Sequence, residues 1–459
     1  MVFGNGFGVL LASGFTGEKL FYLVTLLMVG VPYFLWAKVP WVRKAAPLVV
    51  VQIIIGIIGG PAVFGKLFPL EYGAVFNNSL LGALQGFAWF SIAVFGVKTG
   101  GELKLEKLSG RSFYLVANST VIIPFILGAP LGFALFYSMP WVFGAKANAL
   151  TAALGFGILL SVTALPVMAA ALMDMGALHR NSASRALAYS VWNEVLLWLL
   201  VAIMFAVSAK EGASVTDCLI TIGGAAIYTF FILKVARPWH EKLFARTVRV
   251  ADDKSEAAPA RPFIKTLSGM VYIVCALLAS AIITDVIGVH YLIGAFLFGI
   301  SLPKSVIEEL EHSLFLVIEV CALPTFFMLT GLKTLFSFDD TRIWAMFGLL
   351  TAVTVIGKTL GTYFPERWWQ QSRKWQAAKI STLMNMKGLM EVVFAQALLQ
   401  EGIISSLTFS ALILMAVFVT VLTKPFFVFF DRLDARDKVW LRGDEQVDAR
   451  PTAAFTLAD

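Results

Sequence analysis

About thirteen apolar runs, most of them roughly 18 to 25 residues long, divide the 459-residue chain and leave it few ways to fold. They lie near 20–37, 46–68, 80–98, 111–136, 149–173, 183–208, 216–236, 264–284, 287–303, 313–335, 342–363, 375–400 and 405–430. Within hydrocarbon every backbone N–H and C=O must find its partner inside the protein, so runs of this length read as membrane-crossing helices. The expected class is an all-α polytopic membrane protein with about thirteen transmembrane helices. Composition agrees, since 59% of the residues are hydrophobic and only 14% are charged, against roughly 25% charged in soluble domains.

The net charge of +7 is explained by the loops rather than by a nucleic-acid partner. Lys38, Arg43 and Lys44 follow the first run, Lys98, Lys104, Lys107 and Arg111 the third, and His179, Arg180 and Arg185 the fifth. Lys234 to Lys265, Arg367, Arg373, Lys374 and the Arg-rich stretch after Lys424 fall on the same side, whereas the opposite loops carry little beyond Lys146, Lys210 and Arg342. The Lys/Arg bias therefore places the N-terminus outside and the C-terminus in the cytoplasm, in keeping with an odd number of spans. MVFGNGFGVLLASGFTGEK lacks a basic start and a small-residue cleavage site, so the first run is expected to be a retained helix.

The whole of 1–430 reads as one transmembrane domain, with no residues left over for an appended nucleotide-binding domain. RVADDKSEAAPARP, 249–262, reads as a flexible cytoplasmic linker, and 431–459 as a short polar tail. Spans one to six (20–208) and eight to thirteen (264–430) run in opposite senses around a connector at 216–236, which is the arithmetic of an inverted six-plus-six repeat. Pro166 interrupts the fifth span and Gly388 interrupts its counterpart, the twelfth. Matching breaks in two halves point to a substrate site at mid-membrane. Ser161, Thr163, Asn385 and Lys387 cluster at the same breaks.

Polar residues inside apolar runs mark function by default. Glu194, in SVWNEVLLW, is the deepest acid, and a bare carboxylate there costs about 2.5 to 3.5 kcal/mol on insertion scales. Asn193 precedes it, and Ser190 lies one helical turn earlier on the same face. Lys358 is the deepest base of the eleventh span, with snorkelling toward the cytoplasmic end as its bland alternative. Lys387 and Glu391, four apart, have the spacing of a pair on one helix. Glu319 is a secondary candidate within the tenth span.

Enzymatic readings fail at the residue level. A phosphate-binding loop ending in Gly357-Lys358-Thr359 needs glycine where Ala352 stands. HEKLF, from His240, has Phe244 where a second metal-binding histidine is required. GNGFGVL misses the third dinucleotide glycine, and no GxSxG turn occurs. Cys218, Cys275 and Cys321 are far apart and fit neither a disulfide framework nor a zinc site. No enzyme activity and no cofactor are expected.

The motifs together resemble the second branch of the monovalent cation:proton antiporter family over nearly the whole membrane region. GIIGGPAVFGKLFP resembles its second span, SVTALPVMAAALMDMGALH its broken fifth helix, YSVWNEVLLW its ion-site helix, LPTFFMLTGLKT its tenth span and MNMKGLMEVVFAQALLQEGIIS its second broken helix. The resemblance implies two discontinuous, crossing helices and a homodimer in the bacterial cytoplasmic membrane. It implies Glu194 as the essential acid that holds the monovalent cation, Asn193 as the neutral residue before it, Ser190 as the hydroxyl one turn earlier, Thr163 at the break of the fifth helix and Lys358 as the buried base. The acid is usually Asp in that family and is Glu here, and Lys387 stands where Arg is usual.

A single carboxylate that binds either a proton or a cation couples the two by competition. The expected function is exchange of Na⁺ or K⁺ for a proton, electroneutral because Asn193 replaces a second acid. The alternative is a non-transporting membrane sensor or complex subunit on the same scaffold, motivated by the Glu in place of Asp.

Overall fold

The computed structural model describes residues 17–102, 110–177, 180–208, 215–245, 247–249, 260–334 and 340–448. Helix dominates: α1 (Glu18–Lys38), α2 (Leu48–Gly59), α3 (Asn78–Glu102), α4 (Arg111–Ser138), α5 (Ala149–Ser161), α6 (Leu165–Asp174), α7 (Asn181–Ser208) and α8 (Val215–Phe231) make the first half. After the short helix Arg237–Phe244 come α9 (Leu267–Ile287), α10 (Tyr291–Ser301), α11 (Lys304–Leu310), α12 (Leu323–Leu332), α13 (Thr341–Trp369), α14 (Lys374–Met384), α15 (Leu389–Gln400) and α16 (Ser406–Asp448).

Among the described residues, eight helices are long and apolar enough to cross a bilayer uninterrupted, and the pair Tyr291–Ser301 with Lys304–Phe315, bent by 115°, would make a ninth. Fewer uninterrupted helices than predicted runs has a physical cause. The fifth and twelfth runs are each divided into two short helices, α5 with α6 and α14 with α15. The tenth is divided by two π-helical turns, Glu311–Phe315 and Ile318–Ala322, before α12.

The exterior is apolar, as a lipid solvent requires: Leu26 is 67% exposed, Ile227 73% and Val286 82%. Polar groups turn inward, and Lys358 and Lys387 rank among the largest fully buried side chains. Without a hydrophobic drive between helices, close backbone approach does the packing. On α13, a Cβ at Gly357 would lie 3.0 Å from the Cα of Pro124 in α4, and one at Gly361 2.6 Å from the carbonyl of Ser119. Pro365 has no N–H to give the Gly361 carbonyl four residues earlier, and Ser119 Oγ donates to that carbonyl instead, at 2.7 Å.

The stretches read as linker and tail carry local structure. The edges of the linker pair as a small antiparallel hairpin, Thr247–Arg249 with Ala260–Pro262, in the register Thr247↔Pro262; its middle, 250–259, lies outside the described residues. The polar tail does not leave the bundle at Asp431 but continues α16 to Asp448, residues 449–459 lying outside the description. The helix is held on because its acids reach back to α14: Lys379 Nζ donates to Asp431 Oδ1 (3.1 Å) and Asp434 Oδ2 (2.8 Å), and Trp375 Nε1 to Asp437 Oδ2 (2.7 Å).

Candidate ion site at the crossing of two broken helices

The site is built where two helices fail. α5 ends at Ser161 and α6 resumes at Leu165; α14 ends at Met384 and α15 resumes at Leu389. The freed backbone groups satisfy each other across the crossing. Ala164 N–H donates to the Met386 carbonyl (3.0 Å) and Thr163 Oγ1 to the Met384 carbonyl (2.9 Å). Thr420 of α16 serves the second break from both sides, donating to the Lys387 carbonyl (2.6 Å) and accepting from the Lys387 N–H (3.2 Å). Gly388 fits because a Cβ there would sit 2.5 Å from Val167 Cγ2 and 3.2 Å from Ala164 Cβ. The crossing is also laced at one end: Gly144 N–H donates to the Ile403 carbonyl, Lys146 N–H to the Gly402 carbonyl (both 3.0 Å) and Ser405 N–H to the Val142 carbonyl (3.1 Å).

Charge is placed where the half-helices end. Lys387, fully buried, donates from Nζ to the Leu159 (3.0 Å) and Leu160 (3.4 Å) carbonyls at the C-terminal end of α5, where the helix dipole is negative. Its Nζ is 3.5 Å from Glu391 Oε2, and Glu391 occupies the first turn of α15, the positive end of that helix. The i,i+4 pair seen in the sequence thus neutralises two half-helix ends rather than decorating one helix.

Lys358 overturns the snorkelling alternative. It is 0% exposed, and its Nζ donates to Thr163 Oγ1 (2.6 Å) and to the Thr120 carbonyl (3.0 Å), so its ammonium points at the break of α5 and α6 instead of toward water. Glu319 also departs from expectation: it is 41% exposed and forms an ion pair with Lys98 of α3, at the surface of the bundle.

Glu194 and Asn193 lie on α7, 1% and 2% exposed. The hydrogen-bond network orients the Asn193 amide so that its nitrogen donates to the carbonyls of Ala117 (3.1 Å) and Tyr189 (3.2 Å) and its oxygen accepts from Thr120 Oγ1 (3.0 Å). Asn193 therefore ties α7 to α4 by neutral bonds. Ser190, one turn earlier, gives its proton to the Ala186 carbonyl (2.9 Å) and keeps its lone pairs; the sulfurs of Met384 (3.6 Å) and Met168 (3.9 Å) flank it from both broken helices. Pro166 stands in the first turn of α6, just past the break. His179 lies outside the described residues.

Thr120 and Thr420 were not singled out from the sequence: Thr163 is marked by its place at the break of the fifth span, whereas Thr120, beside Ser119, and Thr420, near Thr423, stand in uninterrupted runs. Thr120 accepts from Lys358 on its carbonyl and donates from its hydroxyl to Asn193, joining the base of α13 to the helix that carries the acid.

Helices with an apolar skin, two of them broken where they cross, with buried ionisable side chains at the breaks, make up a polytopic membrane protein whose polar groups converge on two discontinuous helices. The chain belongs to the transmembrane sodium/hydrogen exchanger family, whose profile matches residues 23–429. It is 28% identical over 391 residues to the Na⁺/H⁺ antiporter NhaS4 of Synechocystis, covering 84% of this chain and 91% of that protein. Cation/H⁺ antiporter 20 of Arabidopsis thaliana is 26% identical over 417 residues (87% of this chain, 47% of that protein), and the yeast K⁺/H⁺ antiporter 1 is 27% identical over 401 residues (84% and 44%). The chain thus spans about half the length of the plant and yeast relatives. Its fold is that of the sodium proton antiporter NhaP1 from Methanocaldococcus jannaschii, with a TM-score of 0.57 at 12% identity over 89% of this chain and 98% of that one.

Proposed function

We propose that this protein exchanges a monovalent cation, Na⁺ or K⁺, for a proton across the membrane. The observation that carries the reading is the crossing itself: unwound backbone, Thr163 and a buried lysine at the breaks, beside a helix with a buried carboxylate. Proton and cation compete for Glu194, with Ser190, Thr163 and unwound carbonyls offering oxygen ligands that suit a hard cation. Lys387 and Glu391 keep the half-helix ends neutral, so the charge change at the site is that of the transported ions. The relatives' names, a Na⁺/H⁺ and a K⁺/H⁺ antiporter among them, support the class of cargo without choosing between the two ions.

The topology goes with this reading: thirteen spans, two inverted sets of six around the connector, the N-terminus outside, the C-terminus in the cytoplasm, and a homodimer in the bacterial cytoplasmic membrane. Alternating access is movement of the broken-helix bundle against the remaining helices. Its plane is the apolar seam where α7 and α15 meet α10, with Trp198 stacked on Phe296 (4.9 Å between ring centroids) and Phe205 on His290 (4.8 Å). Side chains in such a seam slide without stranding hydrogen bonds.

Proteoliposomes containing the purified chain, given an imposed pH gradient and each monovalent cation in turn, test the proposal. At least one cation should collapse the gradient faster than in empty vesicles. One carboxylate trades one charge for one, so the rate should be nearly indifferent to an imposed membrane potential; a strong response would mean that Lys358 exchanges a proton as well. If no cation moves protons, the sensor reading takes its place.

A further inference from the structure

A further fully buried carboxylate lies outside the crossing. Glu366 of α13 is 0% exposed, and its oxygens are taken by three side chains: Oε1 accepts from Tyr189 OH (2.5 Å), and Oε2 from Arg185 Nη1 (2.9 Å) and Ser372 Oγ (2.5 Å). Arg185 Nη1 also donates to Ser372 Oγ at 2.8 Å. We infer that Glu366 is a positioning residue of the ion site, fixing the tilt and rotation of α7 against α13 and hence the placement of Glu194 relative to Lys358. The inference rests on the exchange reading for its functional consequence and on helix geometry for its structural one.

Spacing makes the case. Arg185, Tyr189 and Asn193 recur every four residues and so share a face of α7; Thr354, Lys358, Thr362 and Glu366 do the same on α13, all four 0% exposed. Whatever holds Glu366 therefore holds the face that presents Lys358. α13 is immobilised on α4 by Gly357, Gly361 and the Ser119 bond to the Gly361 carbonyl. At the level of the site, α7 is joined to α4 through Asn193 and Thr120. A helix held at one level can still pivot there. The Tyr189 and Arg185 bonds to Glu366, one and two turns away, supply the further attachment that stops the pivot, and an ion site tolerates little pivoting, since loosening the groups that orient its ligands typically costs roughly 10- to 100-fold in affinity.

The test uses the full chain as wild type, Glu366→Gln, Tyr189→Phe and Glu366→Asp. Spin labels at Leu199 of α7 and Ile356 of α13, exposed at 58% and 52%, report the α7–α13 distance in a background without the native cysteines. In proteoliposomes the Gln and Phe variants are expected to raise the apparent cation KM by roughly 10-fold or more with a smaller loss of maximal rate. The label distance should shift or broaden by about 1 to 2 Å, the scale of helix displacements in switching proteins. Glu366→Asp keeps the charge but is one methylene short, so it should fail to restore KM; full rescue by Asp would mean that charge at a distance, not position, is what matters, and would overturn the inference. So would an unchanged label distance in Glu366→Gln, or a lowered melting temperature with KM unmoved. If the wild type exchanges no cation, the exchange reading fails alone, and the label distance still decides whether Glu366 sets α7 against α13.

Discussion

Glu194→Gln is expected to abolish cation/proton exchange while the protein stays folded. Glutamine nearly matches glutamate in shape but cannot ionise, so it can neither release a proton nor attract a cation. A neutral amide is also easier to bury than a carboxylate, and the melting temperature of the variant should hold or rise. Glu194→Asp restores the side-chain length usual among the antiporters this chain resembles and should keep exchange with an altered cation preference. The competing view makes Glu194 a structural counter-charge to a buried base. Removing the charge would then strand that base and destabilise the protein by about 3 to 5 kcal/mol. Melting temperature and exchange measured on one purified Gln sample separate the two. A folded Gln variant that still exchanges ions would remove Glu194 from the mechanism.

The largest loss of stability should come from Lys387→Met. The lysine is wholly buried, bonds two carbonyls at the end of α5 and lies 3.5 Å from Glu391. Methionine matches it in bulk but leaves a buried carboxylate without its cation and two carbonyls without a donor, a change worth about 3 to 5 kcal/mol. The double variant Lys387→Met/Glu391→Gln should recover much of that, because neutralising both partners removes the stranded charge. Thermal unfolding of the single and double variants in the same detergent measures both effects. If the single variant melts with the wild type, the pair does not hold the crossing together.

The apolar runs announced the helices because lipid leaves so few alternatives, and the two interruptions at Pro166 and Gly388 announced where the chain would be special. What the sequence did not disclose is which side chains from distant runs meet there. Lys358 sits near the end of its apolar run, and nothing local distinguishes a snorkelling lysine from one aimed inward; its bonds to Thr120 and Thr163 depend on how α13 packs on α4. The same ambiguity misled in the other direction at Glu319, which lies in a π-helical turn of its run and pairs with Lys98 at the surface. Glu366 was overlooked because it stands among the charges that close its run, where exposure is the default. Its burial depends on Tyr189 and Arg185, far away in sequence.

The reciprocal bonding of the two breaks has a consequence for how the protein is made. Thr163 finds its acceptor, the Met384 carbonyl, 221 residues further along the chain. At about 5 to 20 residues per second, roughly 10 to 40 seconds of synthesis separate the two. During that interval the unwound stretch between α5 and α6 has been made and the backbone that completes it has not. A bare amide at Ala164 cannot wait in hydrocarbon at no cost. The first broken helix must therefore stay near water, or in the shelter of the insertion machinery, until its counterpart arrives. Chains halted shortly before residue 384 should accordingly leave residues 162–164 open to water-soluble thiol reagents introduced at a cysteine there, and chains extended past Ile403 should close them.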